Sequence, residues 1–300
     1  MSTLGENICN MLCIFLSLTL IYLIIVYSIR WFEFSNSNEY KEKNKDKTIF
    51  SDFQKEGYKA IVGFILEYVY VIAHLNLLVA DYIISLFQSL IPKSSSPQDT
   101  QNPIILIHGY MMRGLVMYPI KQRLNKDGYK NVYLFTYSSP WLNIDDFSLQ
   151  LKDKVESVKK DTGAEKVDLI CHSMGGLVAI NYINNLDGTK NINRLITLGT
   201  PFGGSKLWSF SVGKCGKEMK PESAFLKKLS MPPAGIRATA IYTTFDEMVI
   251  PYEYSKLEGA DNIEMNYIGH VGLLFSRSVY KIIREALKTS QSSQNSLLQK

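Results

Sequence analysis

The stretch that most constrains this chain runs from Val167 to Ala179 and reads VDLICHSMGGLVA. An apolar strand leads into a turn, and a helix begins directly after it, with Ser173 at the turn between small neighbours. This pattern is typical of a nucleophile elbow, in which a sharp turn exposes the serine hydroxyl at the end of a sheet. The unpaired backbone N–H groups of the first helical turn point to the same place.

The elbow departs from its usual form, Gly-x-Ser-x-Gly, at one position. Cys171 takes the place of the first glycine, and Gly175 is the second. Small residues are needed because the strand and the helix pass close together, and cysteine is small. The alternative is an ordinary strand-to-helix turn with a chance serine, but the flanking strand and helix favour the elbow.

From residue 103 onward, apolar runs alternate with amphipathic stretches. The predicted strands are 104–107, 132–136, 167–171, 195–198, 238–242 and 263–267. The predicted helices are 114–126, 144–160, 176–185 and 278–287. This alternation predicts an α/β domain with a mainly parallel sheet and helices on both faces. Ligands bind such sheets at the carboxyl ends of the strands, and the elbow serine lies at one of them.

A serine hydroxyl needs a base, and the chain has four histidines. His74 lies in the N-terminal apolar region, and His108 follows the first strand of the domain. His172 adjoins Ser173, but neighbouring side chains at a sharp turn point in different directions. His270 remains, in a glycine-flanked loop between the last strand and the closing helix. We therefore expect His270 to be the base.

The base needs an acid to orient it. Nine acidic residues lie between Ser173 and His270 in the sequence and are candidates. Asp246 is favoured because it follows the strand 238–242 and thus lies at a carboxyl end, as the serine does. Its neighbour Glu247 is the fallback. The chain order Ser, Asp, His is that of an α/β-hydrolase triad. The alternative for Asp246 is a turn-forming role.

The remaining site residues follow from the same geometry. The oxyanion donors are expected to be the backbone N–H groups of Met174, which follows the nucleophile, and Tyr110, in the loop after the first strand. In that loop His108 and Gly109 are expected to shape the substrate site. Phe202 is expected to line it from the glycine-rich loop after the strand 195–198.

Residues 8–29 carry no charged side chain and are closed by Arg30. At ~1.5 Å per residue, a helix of this length crosses a hydrocarbon layer of ~30 Å. The start lacks the basic residues of a signal peptide, so we predict a retained transmembrane helix; a buried core helix is the alternative. Positive charge in the following loop favours an outside catalytic domain if two helices span, and a cytoplasmic one if only the first does.

A second apolar stretch, 61–91, is interrupted by polar residues. Glu67, His74, Asp81 and Gln88 recur every seventh residue and form one stripe on a helix. The sequence allows this helix to cross the bilayer with the stripe toward the first helix, or to lie in the interface. A packing role for the stripe is favoured over proton transfer.

The sequence thus predicts an N-terminal membrane region, a linker, a catalytic domain and a disordered tail. The boundaries are 1–92 (helix 8–30, polar loop 31–60, second helix 61–91), 93–102, 103–288 and 289–300. The segment 206–233 is expected to form either a small cap over the site or ordinary surface packing. A net charge of +5 with dispersed lysines argues against a nucleic-acid partner. The four cysteines suggest neither a disulfide framework nor a zinc site, and we expect no metal or other cofactor.

Five ordered motifs carry a family resemblance: IILIHGY, DLICHSMGGLVA, RLITLGTPFGGS, IYTTFDEMVIP and IGHVGLLFS. Together they resemble the bacterial triacylglycerol lipases and esterases of the α/β-hydrolase superfamily. The resemblance implies the α/β-hydrolase fold, with Ser173 as nucleophile, Asp246 as acid, His270 as base and the Tyr110 and Met174 N–H groups as oxyanion donors. The small lipases of this kind are secreted and lack an N-terminal hydrophobic third.

The expected function is therefore that of a membrane-anchored serine hydrolase acting on carboxylic esters, in particular lipid or acylglycerol esters. The membrane and the ester substrate are its expected partners. One alternative is an acyltransferase, in which an alcohol replaces water as the acyl acceptor. The other is a catalytically silent membrane scaffold of hydrolase fold, which would have no need of the three triad residues together.

Overall fold

The computed structural model describes residues 2–36, 49–87, 101–229 and 235–288. Its centre is a six-stranded sheet in which all neighbouring strands are parallel, in the order β2-β1-β3-β4-β5-β6. The strands are β1 Ile104–Ile107, β2 Val132–Phe135, β3 Val167–His172, β4 Ile192–Leu198, β5 Arg237–Thr243 and β6 Asp261–Met265. The predicted parallel sheet is confirmed, with strand ends within three residues of the predicted ones.

Helices cover both faces of the sheet, as the apolar character of its central strands requires. Every residue of β1 and β3 is buried. The helices of the domain are α3 Tyr118–Lys126, α4 Ile144–Thr162, α5 Met174–Asn185, α6 Gly213–Glu218, α7 Ala224–Lys228, α8 Gly272–Phe275 and α9 Arg277–Lys288. One core cluster lies between the sheet and α4 and α5, and the other lies between the sheet and α3 and α9.

The segment 206–233, as far as it is described, packs on the first of these clusters. It contains α6, α7 and a 3-10 turn, Lys206–Phe210. Cys215, Phe225 and Leu226 are buried in the cluster, while Phe210 is 77% exposed. The described part of the segment therefore packs on the core of the domain, and its role as a cap over the site stays a prediction.

Two long helices precede the domain, α1 Ser2–Asn36 and α2 Ile49–Leu86. Both are long and apolar enough to cross a membrane, by length and composition. The predicted boundaries, 8–30 and 61–91, were wrong at three of four ends by more than five residues. Hydrophobicity set those predictions, but Lys, Glu, Gln and Ala favour helix in water and extend α2 toward its N-terminus. Most of the predicted linker, 93–102, and the predicted disordered tail, 289–300, lie outside the described residues.

The described residues of the polar stripe, Glu67, His74 and Asp81, face the catalytic domain, and Gln88 lies outside the described residues. Glu67 and His74 are buried, and Asp81 forms an ion pair with Arg113 after the first strand, with Nε and Oδ1 2.8 Å apart. Of the two arrangements that the sequence allowed, the one with the stripe toward the first helix is contradicted by these contacts. The physical reason is that the domain offers backbone N–H groups to Glu67 and Asp81 and a guanidinium to Asp81. The first helix, in contrast, meets α2 mainly through apolar residues around Leu23 and Val26.

Candidate active site

The turn at Ser173 has the backbone strain of a nucleophile elbow. Its φ is 54° and its ψ is −132°, a conformation that costs a residue with a side chain about 1–3 kcal/mol. A Cβ on Gly175 would lie 2.8 Å from the carbonyl oxygens of Ile107 and His108, and one on Gly176 would overlap Thr200. The two glycines therefore let α5 approach the sheet while the serine is held at the end of β3.

The loop after β1 passes directly over the serine. A Cβ on Gly109 would lie 2.8 Å from the Ser173 Cβ, so this close approach requires glycine. The next residue, Tyr110, is fixed by its hydroxyl, which donates to the Val212 carbonyl (2.7 Å) and accepts from the Val212 N–H (2.6 Å). Met111 adopts a φ of 54°. The loop is therefore a tightly turned segment beside Ser173, anchored to the 206–229 segment.

Asp246 and His270 form a buried pair. The Nδ1 of His270 lies 2.9 Å from the Oδ2 of Asp246, and the two side chains are 5% and 1% exposed. The other carboxylate oxygen, Oδ1, accepts from the N–H groups of Met248 (2.9 Å) and Val249 (2.7 Å). These two bonds fix the carboxylate, and the carboxylate orients the imidazole.

The neighbouring Glu247 meets the backbone of the histidine and not its ring. Its Oε2 accepts from the His270 N–H at 2.9 Å. Burial, reinforced by the charge of Asp246, raises the pKa of the Glu247 carboxyl. The two adjacent acids therefore bind different parts of His270: Asp246 bonds to the imidazole ring and Glu247 bonds to the backbone N–H. Sequence order alone left this choice open.

His172 brings the histidine loop to the serine. Its Nε2 lies 3.1 Å from the His270 carbonyl oxygen, and the two imidazole ring centroids are 4.6 Å apart. Burial, together with the nearby His270, lowers the pKa of His172 well below its ordinary value. A neutral Nε2–H donor fits this contact, so His172 supports the loop and is unsuited to act as the base.

The pKa of His270 is set by opposing effects. Burial lowers it, but the Asp246 charge and hydrogen bond, together with Glu247, raise it to a net value above the ordinary ~6.5. Only the neutral imidazole accepts the serine proton. We therefore predict that kcat/KM falls as the pH drops through this raised pKa. A pH–rate profile of the full chain checks this, and an acid limb well below pH 6 would contradict it.

Two predicted substrate residues lie deeper than expected. Phe202 is 3% exposed and packs in the core cluster beside α4 and α5, and its role in lining the substrate site stays a prediction. It lies this deep because the chain turns inward at 199–204, where Gly199 and Gly204 have positive φ. His108 is also fully buried, and burial lowers its pKa to about 4. It lies under the loop with its ring against Tyr137, at a centroid distance of 4.4 Å.

The chain is similar to known lipases over part of its length. Residues 101–206 match the family model described as Lipase (class 2). Phospholipase A(1) LCAT3 of Arabidopsis thaliana is 42% identical over 64 residues, which make up 21% of this chain and only 14% of that protein. The chain therefore aligns with a small part of this curated relative.

Solved structures match the domain over a larger share. The mature form of lipase BlEst2 from Bacillus licheniformis covers 66% of this chain and 96% of its own, with a TM-score of 0.57 and 16% identity. Lipase B from Aspergillus fumigatus covers 67% of this chain and 56% of its own, with a TM-score of 0.57 and 17% identity. The chain has the α/β-hydrolase fold, and its predicted resemblance to the lipases and esterases of that superfamily is confirmed.

Proposed function

We propose that this protein is a carboxylic ester hydrolase that works through the triad Ser173, His270 and Asp246. The observation that carries the proposal is the buried His270–Asp246 hydrogen bond at the sheet edge where the strained Ser173 turn lies. The matches to lipases and esterases support the same class. A scaffold would gain nothing from a strained serine backbone and a buried acid–histidine pair, since the strain costs stability and a buried ion pair adds little to it.

In this mechanism Ser173 attacks the ester carbonyl while the neutral His270 takes its proton through Nε2. Asp246 holds the imidazole in the tautomer with Nδ1–H and stabilises the imidazolium that forms. His270 then gives the proton to the leaving alcohol, which leaves an acyl-enzyme. A water molecule, activated by the same histidine, attacks the acyl-enzyme, releases the carboxylic acid and restores the serine.

The tetrahedral intermediates carry a negative oxygen that needs preorganised donors. Met174 is the first residue of α5, so its N–H has no partner within the helix and is available to this oxygen. Tyr110 supplies the second N–H from the loop that passes over the serine. The hydroxyl of Tyr110 is hydrogen-bonded to the backbone of Val212, and this contact holds the loop in place. The backbone N–H of Tyr110 is then the group that binds the oxyanion.

The surface of the two N-terminal helices supports a lipid substrate. Many large apolar side chains are exposed along both N-terminal helices. Exposed apolar surface of this extent is unusual in a monomeric soluble protein and is typical of a surface that contacts a membrane or another protein. Those at least half exposed include Ile8, Met11, Leu12, Ile14, Leu18, Ile61, Val62, Ile65, Val69, Val79 and Ile83. Both helices also contact the catalytic loops. We therefore propose that the active site opens at a membrane surface and takes lipid esters.

The contacts of the helices support a specific arrangement of each helix at the membrane. From Gly63 to Asp81, α2 lies against the domain, so this length is not surrounded by lipid; the helix lies in the interface with its outer face in the acyl layer. In α1 the second half packs on the domain, where Tyr27 meets Phe245 at a ring distance of 5.0 Å. The first half is exposed and enters the bilayer.

Two cysteines allow a direct test of this arrangement. Cys9 and Cys13 are exposed on α1, whereas Cys171 and Cys215 are buried. A polarity-sensitive fluorophore on Cys9 or Cys13 should blue-shift when vesicles are added and should be quenched by lipids that carry a quencher in the acyl chain. A matched control is the variant Ser157→Cys on α4, across the sheet from α2, with Cys9 and Cys13 replaced by serine. Equal responses at both places would contradict the proposed orientation.

Product analysis tests the reaction itself. Incubation of the full chain with acylglycerol or phospholipid vesicles should release free fatty acid in water. Added short-chain alcohol separates hydrolysis from the acyltransferase alternative. A hydrolase gives mainly the acid at low alcohol concentration, and products consisting of the new ester alone would replace the proposal with the transferase.

A further inference from the structure

Glu67, in the middle of α2, is joined to the loop of the proposed base. The side chain is 1% exposed. Its Oε1 accepts from the Val271 N–H at 2.7 Å, and its Oε2 accepts from the Gly272 N–H at 2.9 Å. These residues directly follow His270, whose own N–H is bound by Glu247. Three consecutive backbone N–H groups of the histidine loop are therefore held by two carboxyl groups.

The loop is shaped around the Glu67 side chain. A Cβ on Gly269 would overlap the Glu67 carboxyl group, and one on Gly272 would lie 2.7 Å from its Oε2. The helix also has a glycine at this contact, since a Cβ on Gly63 would lie 2.6 Å from the Tyr267 carbonyl oxygen. Glycines on both partners thus permit a close approach at one place, around the carboxyl group.

The same helix contacts the second catalytic loop through Asp81, two seven-residue steps beyond Glu67 along the stripe. Asp81 accepts from the Arg113 Nε at 2.8 Å and from the Leu115 N–H at 2.6 Å. These residues close the loop that carries Tyr110. Glu67 and Asp81 are separated by 14 residues, or ~21 Å of helix. One helix therefore bonds to the loop of the base and to the loop of the oxyanion donor.

We propose that α2 is a positioning element of the active site, with Glu67 setting the place of His270 and Asp81 setting the place of the Tyr110 loop. The proposal rests on the triad proposed above. Neither carboxyl group touches the reacting atoms; each acts through backbone N–H groups of a loop. The helix is then more than an anchor, because the domain without it lacks two of the carboxyl groups that fix its catalytic loops.

The expected effect of removing Glu67 is on turnover more than on substrate binding. Glu67→Ala leaves the N–H groups of Val271 and Gly272 buried without an acceptor, and the loop relaxes. A misplacement of about 1 Å at a reacting group costs up to about 10²-fold in rate. We expect Glu67→Ala to lower kcat about 10- to 100-fold and to leave KM within about threefold.

Conservative and control variants separate positioning from mere stability. Glu67→Gln keeps the length of the side chain and one carbonyl acceptor, so it should retain more kcat than Glu67→Ala; it also replaces Glu67→Ala if that variant fails to fold. Asp81→Asn should behave in the same way at the other loop. Asn76→Ala, on the exposed face of the same helix, is the matched control and should keep the wild-type kcat.

The measurement is steady-state kinetics of the full chain in mixed micelles, with hydrogen exchange of the peptide covering 266–275 followed in parallel. A loss of kcat with near-constant KM in Glu67→Ala, partial recovery in Glu67→Gln and faster exchange of this peptide would support the proposal. Wild-type kcat in Glu67→Ala, or an equal loss in Asn76→Ala, would overturn it. A failure of the triad shows differently, as a wild-type rate in Ser173→Ala.

Discussion

Replacing Ser173 with alanine is expected to lower ester hydrolysis by about 10⁴-fold or more, because the mutant has no nucleophile at the elbow. The reaction is followed with nitrophenyl esters of increasing acyl chain length, using the full chain so that Glu67 and Asp81 are present. The preferred chain length then separates an esterase from a lipase. The folded state should be unaffected, because the substitution removes only the hydroxyl group and leaves the packing around Gly175 and Gly176 unchanged.

The control for this experiment is Ser157→Ala, because Ser157 is an exposed serine on α4. It should keep the wild-type rate. If Ser173→Ala and Ser157→Ala hydrolyse equally fast, the hydrolysis does not pass through the elbow, and the proposed mechanism is wrong.

The second large effect is expected for Asp246→Asn, with a loss of about 10⁴-fold in kcat. The asparagine occupies the same space but carries no charge, so it no longer stabilises the imidazolium, and its amide can favour the wrong tautomer of His270. The sign of the pH effect follows from the same loss. Burial still lowers the pKa of His270, while the largest influence that raises it is gone. The acid limb of kcat/KM should therefore move to lower pH.

Glu247→Gln is the matched variant for Asp246→Asn. The two acids are adjacent and equally buried, but Glu247 bonds to the His270 N–H and glutamine keeps an acceptor for that bond. A much smaller loss is expected. If Glu247→Gln proves as damaging as Asp246→Asn, and Asp246→Asn leaves the acid limb in place, then the fallback assignment of the acid would be the better one.

The fold and much of the site could be predicted because they depend on local patterns. The strand 167–171, the turn at Ser173 and the following helix are contiguous, so one stretch encodes the elbow. Parallel strands also place their carboxyl ends at one edge, and this rule brought Asp246 and His270 together from positions 24 residues apart. Neither step needed knowledge of distant contacts.

The role of α2 could not be predicted, because the periodicity shows which residues share a helix face but does not show what that face contacts. The seven-residue spacing of Glu67, His74 and Asp81 was visible, but two of the groups that they meet, Val271 N–H and Leu115 N–H, are backbone atoms. Nearly every residue has a backbone N–H, so the residue type does not show which of these groups binds a carboxylate. The depth of Phe202 was hidden for a related reason, since the inward turn depends on the backbone angles of Gly199 and Gly204.

The two N-terminal helices both contact elements of the proposed catalytic centre. α1 contacts the turn that carries Asp246, through Arg30 and the carbonyl of Thr244, while α2 contacts the loop that carries His270. Their outer faces are apolar and exposed. If these faces enter the acyl layer, the elements that hold the acid and the base are the same ones that hold the protein on its substrate.

The central claim is that Ser173 is the nucleophile of a triad, and covalent labelling tests it most directly. The full chain is treated with a fluorophosphonate, digested and analysed by mass spectrometry. We predict one phosphonyl adduct, on the peptide that contains Ser173, with much slower labelling in the variant His270→Ala. An unlabelled wild-type protein, or an adduct on another residue at the same rate in both proteins, would contradict the account.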